Sequence, residues 1–153
     1  MVEVLTPLVL LTTGLAAGVL VGTQLGGFPL LTSLPPDQYV RAHAFFATRY
    51  DPFMPVCLMI GTLGSATLAA LAPVPGARWL YGVAAVAAML TMVISLAKNV
   101  PVNKWVRSLD PDDLPDDFAE RDPRRHWGAW NRARTALSVG ALLGNCAALT
   151  LLL

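Results

Sequence analysis

The residues of this chain that could do chemistry are a histidine, a set of asparagines and one arginine set in apolar sequence. His43 closes the stretch Tyr39-x-x-x-His43. Imidazole is the side chain that titrates near neutral pH without help, so His43 can move a proton or hold a ligand. It can equally be a packed, hydrogen-bonded core residue. Arg134 begins an otherwise uncharged run to Leu153. With Asn131, Ser138 and Asn145 it forms a stripe at spacings of three, four and seven, and Trp127 lies one turn before Asn131 on the same face. Such groups are costly in lipid, so the stripe must face protein or water. It serves either to join helices or to build a site. Asn99 and Asn103 flank Pro101. Their side chains can cap a helix end or offer fixed donors and acceptors to a ligand. Tyr39, Trp127 and Trp130 add aromatic faces nearby.

Other chemistry is poorly provided for. Cys57 and Cys146 sit in apolar runs, without a C-x-x-C pair or a histidine at ligand spacing, so no metal is expected. Both read as small buried hydrophobes, and their depths along separate helices argue against a disulfide. Asp110 to Asp122 holds seven carboxylates among prolines. It lacks the central Gly and terminal Glu of a calcium loop and reads as a solvated loop.

The elements that must position these residues are membrane helices. The chain has 153 residues, 55% of them hydrophobic and 14% charged, with a mean hydropathy of +0.56. That composition fits a membrane protein of a few spans. A net charge of +1 provides no basic field for nucleic acid. Apolar runs at about 4–25, 54–72, 79–97 and 133–153 are each near the ~20 residues that cross a bilayer. The expected fold is all-α: a single domain over 1–153, a four-transmembrane-helix bundle. The first run is read as a retained span and not a cleaved signal. Its Gly14, Gly18 and Gly22, four apart, clear a face for close helix approach within the chain or against a second copy in a homo-oligomer. Gly26-Gly27-Phe28-Pro29 and Pro35-Pro36 are expected to break the helix. A short interfacial helix follows, about Asp37 to Tyr50, with Tyr39, His43, Phe46 and Tyr50 on one face. Asp51-Pro52 stops it, and Pro73-Val74-Pro75-Gly76 turns the second span into the third. Pro101 should end or bend the third span, and a polar loop leads to the fourth.

Ten of the eleven Lys and Arg lie in or beside the two long loops, and only Arg78 lies in the short turn. The positive-inside rule puts the long loops in the cytoplasm and both termini outside. The same arrangement gathers Asn99, Asn103, Trp127, Asn131, Arg134, Tyr39, His43 and Asp51 at the cytoplasmic boundary. Convergent polar and aromatic groups over an apolar bundle are how small-molecule pockets are usually made.

Taken together, the Gly-rich first span, Tyr39-x-x-x-His43 with Asp51-Pro52 and Pro55, Asn99-Val-Pro-Val-Asn103, and Trp127-x-x-Trp130-Asn131-x-x-Arg134 resemble the anthrone oxygenase-like family. These are small four-helix integral membrane proteins long known as a domain of unknown function. The resemblance runs over nearly the whole chain, the acidic loop excepted. Fungal members are associated with oxidising an anthrone to an anthraquinone in polyketide biosynthesis, while many bacterial relatives have no assigned role. It implies a cofactor-independent oxygenase acting on an aromatic, anthrone-type molecule at the cytoplasmic face of a bacterial-type plasma membrane. His43 would be the base. Arg134, Asn99 or Asn131 would stabilise the enolate oxygen, and Trp127 and Trp130 would stack on the rings. Tyr39 and Asn103 complete the substrate-binding set, with no metal or flavin required. The competing expectation is a non-enzymatic protein holding a lipid, a small hydrophobic ligand or a partner helix in the same pocket. An enzyme should show a cavity lined by His43. An accessory protein should show Arg134 and both asparagines satisfied by their own chain, and no cavity.

Overall fold

The computed structural model describes residues 1–153, and every regular element is helical. In chain order these are α1 (Val2–Ser33), α2 (Pro36–Arg49), α3 (Phe53–Leu71), α4 (Pro75–Arg107), the short α5 (Phe118–Arg121) and α6 (Arg124–Thr150). Three of them, α1, α3 and α4, are long and apolar enough to cross a membrane. The 27-residue α6 turns its polar stripe inward, burying Asn131, Ser138 and Asn145 against the other helices. The four long helices pack as a ring in the order α1, α3, α4, α6, each on two neighbours.

Two expected breaks are not breaks. The first helix runs on past Gly26-Gly27-Phe28-Pro29, and the third runs past Pro101. In each case a wide π turn comes just before the proline: Thr23–Gly27 before Pro29, Ser95–Asn99 before Pro101. A proline ring inside a regular helix collides with the carbonyl four residues back. Widening the turn moves that carbonyl aside. The backbone then closes from Phe28 N–H to the Thr23 carbonyl, and from Val100 N–H to the Ser95 carbonyl. The two turns even share a side-chain device. Thr23 and Ser95 hydroxyls each donate to the carbonyl four residues earlier, at 2.8 and 2.7 Å. π turns inside helices concentrate at functional sites.

Of the two expected uses of the glycine face of α1, packing within the chain is not seen at Gly18 and Gly22. Gly18 and Gly22 are exposed and have no neighbour where a Cβ would stand. The close approach comes from the facing helix. A Cβ on Gly61 would lie 2.8 Å from Thr13 Cγ2, and one on Gly64 would lie 2.4 Å from Val9 Cγ2. Small residues therefore do bring α1 and α3 together, but they belong to α3.

Beyond the ring, α2 lies on the last turns of α4, sharing a core of Leu31, Tyr39, Val40, Val106 and Phe118. The acidic stretch is mostly exposed, yet Phe118 anchors it by stacking on Trp105 at 6.1 Å. Arg124 ties this region to α1. It pairs with Asp122 and donates to the Leu34 carbonyl at 2.8 Å and the Leu31 carbonyl at 3.4 Å, with its guanidinium over the Tyr39 ring. Burial alone would push the Asp122 carboxyl up. The bonds from Arg124 outweigh it and hold the carboxyl below its usual range.

Candidate functional site

Asn103 projects from α4 just beyond Pro101, and its Oδ1 is shared by two donors. Trp127 Nε1 of α6 lies 2.9 Å away, and His43 Nε2 of α2 also lies 2.9 Å away. An indole N–H can only donate, which fixes the Asn103 atom facing it as oxygen. That oxygen can only accept, so His43 Nε2 carries a hydrogen. In the neutral ring the lone pair is then on Nδ1. This nitrogen is buried and has no hydrogen-bond partner. His43 is 2% exposed, held edge-on between Tyr39 and Trp127 with ring centres 5.3 and 5.2 Å away. Burial lowers its pKa below the ordinary histidine value, and the Asn103 bond opposes this only in part. Lowered from an ordinary value near 6.5, its pKa leaves the ring neutral at physiological pH.

Arg134 sits two turns into α6 from Trp127, with its guanidinium 5.7 Å from that ring. Its Nε and Nη2 donate to Asn131 Oδ1 at 3.0 and 2.8 Å, and Nη1 donates to Ser95 Oγ at 3.1 Å. Asn131 Nδ2 in turn donates to Gln24 Oε1 at 2.8 Å. The chain Gln24–Asn131–Arg134–Ser95 links α1, α6 and α4. Gln24 and Ser95 belong to the two π turns. No carboxylate comes within 4.0 Å of this cation; the ion pairs of the chain are Arg41–Asp112, Arg121–Asp117 and Arg124–Asp122.

These groups border a cavity of about 350 Å³, in the size range of small-molecule pockets. His43, Asn103, Trp127, Arg134, Ser95, Thr23 and Asp51 line it, with apolar walls from Leu20, Leu31, Phe46, Met54, Leu58 and Met92. A second hollow of about 270 Å³, beside Ala69, Pro75, Arg78 and Trp79, holds none of these residues.

The other expected site residues stand further back. Asn99 is fully buried behind the cavity and donates from Nδ2 to the Trp127 carbonyl at 3.2 Å, leaving its Oδ1 unpaired. Asn131 is fully buried and holds Arg134. Tyr39 packs against His43 without reaching the cavity. Trp130 is half-buried elsewhere on α6, next to His126 and under the Lys98 ammonium. Gln24 and Ser95 escaped the sequence reading as site residues. The signal available was a hydroxyl or amide lying a few residues ahead of an in-helix proline. Cys57 is buried and Cys146 exposed, both as free thiols. No group of three His, Cys, Asp or Glu side chains is placed to hold a metal ion.

No curated protein and no solved structure matches the chain. Residues 43–144 match the anthrone oxygenase family. The matched segment opens at His43 and contains Asn99, Asn103, Trp127, Asn131 and Arg134. Together with the apolar helices this marks a membrane protein, and the chain belongs to the anthrone oxygenase family.

Proposed function

We propose that this protein is a membrane-embedded oxygenase that converts an anthrone-type aromatic ketone to the quinone with dioxygen and its own side chains. The observation that carries the reading is the double acceptance at Asn103 Oδ1, which leaves His43, a residue of the cavity lining, with an unengaged Nδ1 that is buried until a ligand or side-chain movement reaches it.

An anthrone carries a CH₂ group between two aromatic rings and opposite a ketone. His43 Nδ1 removes one proton from that carbon. The electron pair spreads to the ketone oxygen, and Arg134 is the cation in the cavity that can stabilise it. Trp127 supplies a face for the rings. The carbanion delivers its electrons to dioxygen, a C–O bond forms, and the proton on His43 passes to the peroxide. Loss of the second C–H proton then breaks the O–O bond. One oxygen stays as the new ketone and the other leaves as water, so one dioxygen is consumed per quinone. Asn103 positions the base, Asn131 and Ser95 aim Arg134, and Asn99 holds the backbone of Trp127.

In this reading α6 is a fourth crossing, because its polar stripe is covered by the other helices. The 1–153 chain is then one four-span domain with α2 at the interface. The long loops lie in the cytoplasm and the termini outside, in a bacterial-type plasma membrane. The hydrogen bonds that Arg134 makes to Asn131 and Ser95 favour a second reading, in which the cavity holds a lipid or hydrophobic ligand without turnover.

The test uses protein in lipid nanodiscs, given anthrone and air. Quinone absorbance should rise with equimolar oxygen uptake. His43→Ala should lower the rate at least about 100-fold while the protein remains in the disc. Turnover unchanged in that variant removes His43 from the mechanism; ligand binding without turnover in the wild type selects the second reading.

A further inference from the structure

We propose that the ligand of this cavity enters sideways from the hydrocarbon of the bilayer, through the seam between α3 and α4. The cavity would then be supplied with flat, lipid-partitioned molecules carrying one acidic edge, and not with water-soluble ones. The proposal rests on the reading of the cavity as a ligand site and adds its route of entry.

The seam is close-packed near one end and borders the cavity near the other. Near the turn joining the helices, small residues close it: a Cβ on Gly82 would lie 3.9 Å from Ala69 Cβ. Fourteen residues are about four helical turns, which return nearly to the same face. Pro55 lies fourteen positions before Ala69 and Leu96 fourteen after Gly82, so in this antiparallel pair both fall on the seam at matching depth. Both line the cavity, as does Met59 one turn along α3. They are also surface residues: Met59 is 50% and Leu96 65% exposed, and Pro55 is exposed. A residue that both lines a cavity and faces outward stands at its mouth.

That mouth lies in an apolar belt. The outward neighbours on α3 are Val56 and Leu63, and on α4 Met89 and Val93, all exposed. In helices of this length and hydropathy such a belt meets acyl chains. The π turn at Ser95–Asn99 begins just before Leu96, so the regular packing of α4 on α3 ends there. The water-side edge of the cavity, by contrast, is formed by Tyr50 and the carboxylate of Asp51, both exposed. An apolar, flat molecule concentrated in the bilayer meets the first opening before the second.

The experiment measures binding of 1,8-dihydroxyanthraquinone, an already oxidised probe, to the protein in nanodiscs by stopped-flow fluorescence. Met59→Trp with Leu96→Trp narrows the mouth without touching the polar groups. Association and dissociation should both slow about tenfold, by much more than their ratio changes, since a gate acts on the barrier and a cavity wall on the end states. Unaltered rates in the double variant, or slowing caused instead by Tyr50→Trp, would overturn the portal while leaving the oxygenase reading intact. Slowed rates in a protein that binds but never oxidises anthrone would sustain the portal and remove the oxygenase reading. Absence of binding to the wild type removes both.

Discussion

His43 and Asn103 are joined by a bond whose direction is set by a third residue. Trp127 Nε1 occupies the same Oδ1 at the same 2.9 Å, so the imidazole has no choice but to donate from Nε2. The consequence is an imidazole whose free lone pair is fixed on Nδ1 by its own chain.

The pH profile should report this. With its pKa lowered by burial, His43 is unprotonated at neutral pH, and activity should fall only as the pH drops below about 6.5, the ordinary histidine value. Stability follows the same sign. A depressed folded pKa means that the unfolded chain binds the proton first, so the contribution of His43 is present above the unfolded pKa and is lost on acidification through the folded one. Asn103→Asp puts an anion beside Nε2–H. It should move the acid limb of kcat/KM upward by about one pH unit or more. An acid limb that does not move would take His43 out of the rate-determining proton transfer.

Arg134 separates a site from a strut. Its planar fork meets Asn131 Oδ1 through two N–H groups and Ser95 through a third. A lysine keeps the charge and cannot reproduce the fork. Arg134→Lys should lower kcat/KM by about 10–100-fold, a loss of about 1.4–2.7 kcal/mol of transition-state stabilisation. Arg134→Gln should lower it further. If the residue only joins helices, both variants will lower Tm and leave the kcat/KM of the folded fraction near wild type.

Much of this was legible in the sequence because hydropathy and charge placement act over many residues. Apolar runs near twenty residues and the stripe Asn131, Arg134, Ser138, Asn145 predict long helices with a buried polar face, and α6 has one. The approach of His43, Asn103, Trp127 and Arg134 to one cavity follows from loop counting. What was not legible is local. Pro29 and Pro101 read as breaks, because a proline states only that a regular helix is forbidden and does not state whether the chain ends it or widens one turn. Gly18 and Gly22 read as a contact face, and spacing cannot tell whether such a face is met within the chain or by a second copy; within the chain nothing meets it. Trp130 follows Trp127 by three residues, about 60° off its direction around the helix, and does not line the cavity.

The glycines give a stability test of how α1 packs. A Cβ on Gly128 would stand 2.1 Å from Phe28 Cζ, and Phe28 is stacked on Trp127 with ring centres 6.1 Å apart. Gly128→Ala should therefore destabilise by about 1–3 kcal/mol and reduce activity through the displaced indole. Adding Phe28→Leu should recover part of the stability. Gly18→Ala, with nothing nearby, should be neutral or stabilise by up to about 1 kcal/mol, from helix propensity. Equal losses at Gly18 and Gly128 in thermal unfolding would show that α1 packs through its own glycines after all, for example in a dimer.

The fourth crossing is testable by the side of the membrane on which three exposed positions lie. Pro73 is in the short turn, Asp113 in the acidic loop and Leu153 at the C-terminus, all three exposed. Cysteines placed singly at these positions, with Cys57→Ala and Cys146→Ala as background, can be labelled in intact cells by a membrane-impermeant maleimide. If α6 crosses, Leu153→Cys and Pro73→Cys label from outside and Asp113→Cys only after permeabilisation. If Leu153→Cys instead shares the behaviour of Asp113→Cys, α6 does not cross and its end does not stay packed beside the short turn in the membrane. The physical stake is Arg134. A crossing α6 sets that cation at the boundary between hydrocarbon and water, where its N–H groups can reach a ligand drawn from the bilayer. Without the crossing the stripe would have no lipid to avoid, and its burial against α1 and α4 would need another cause.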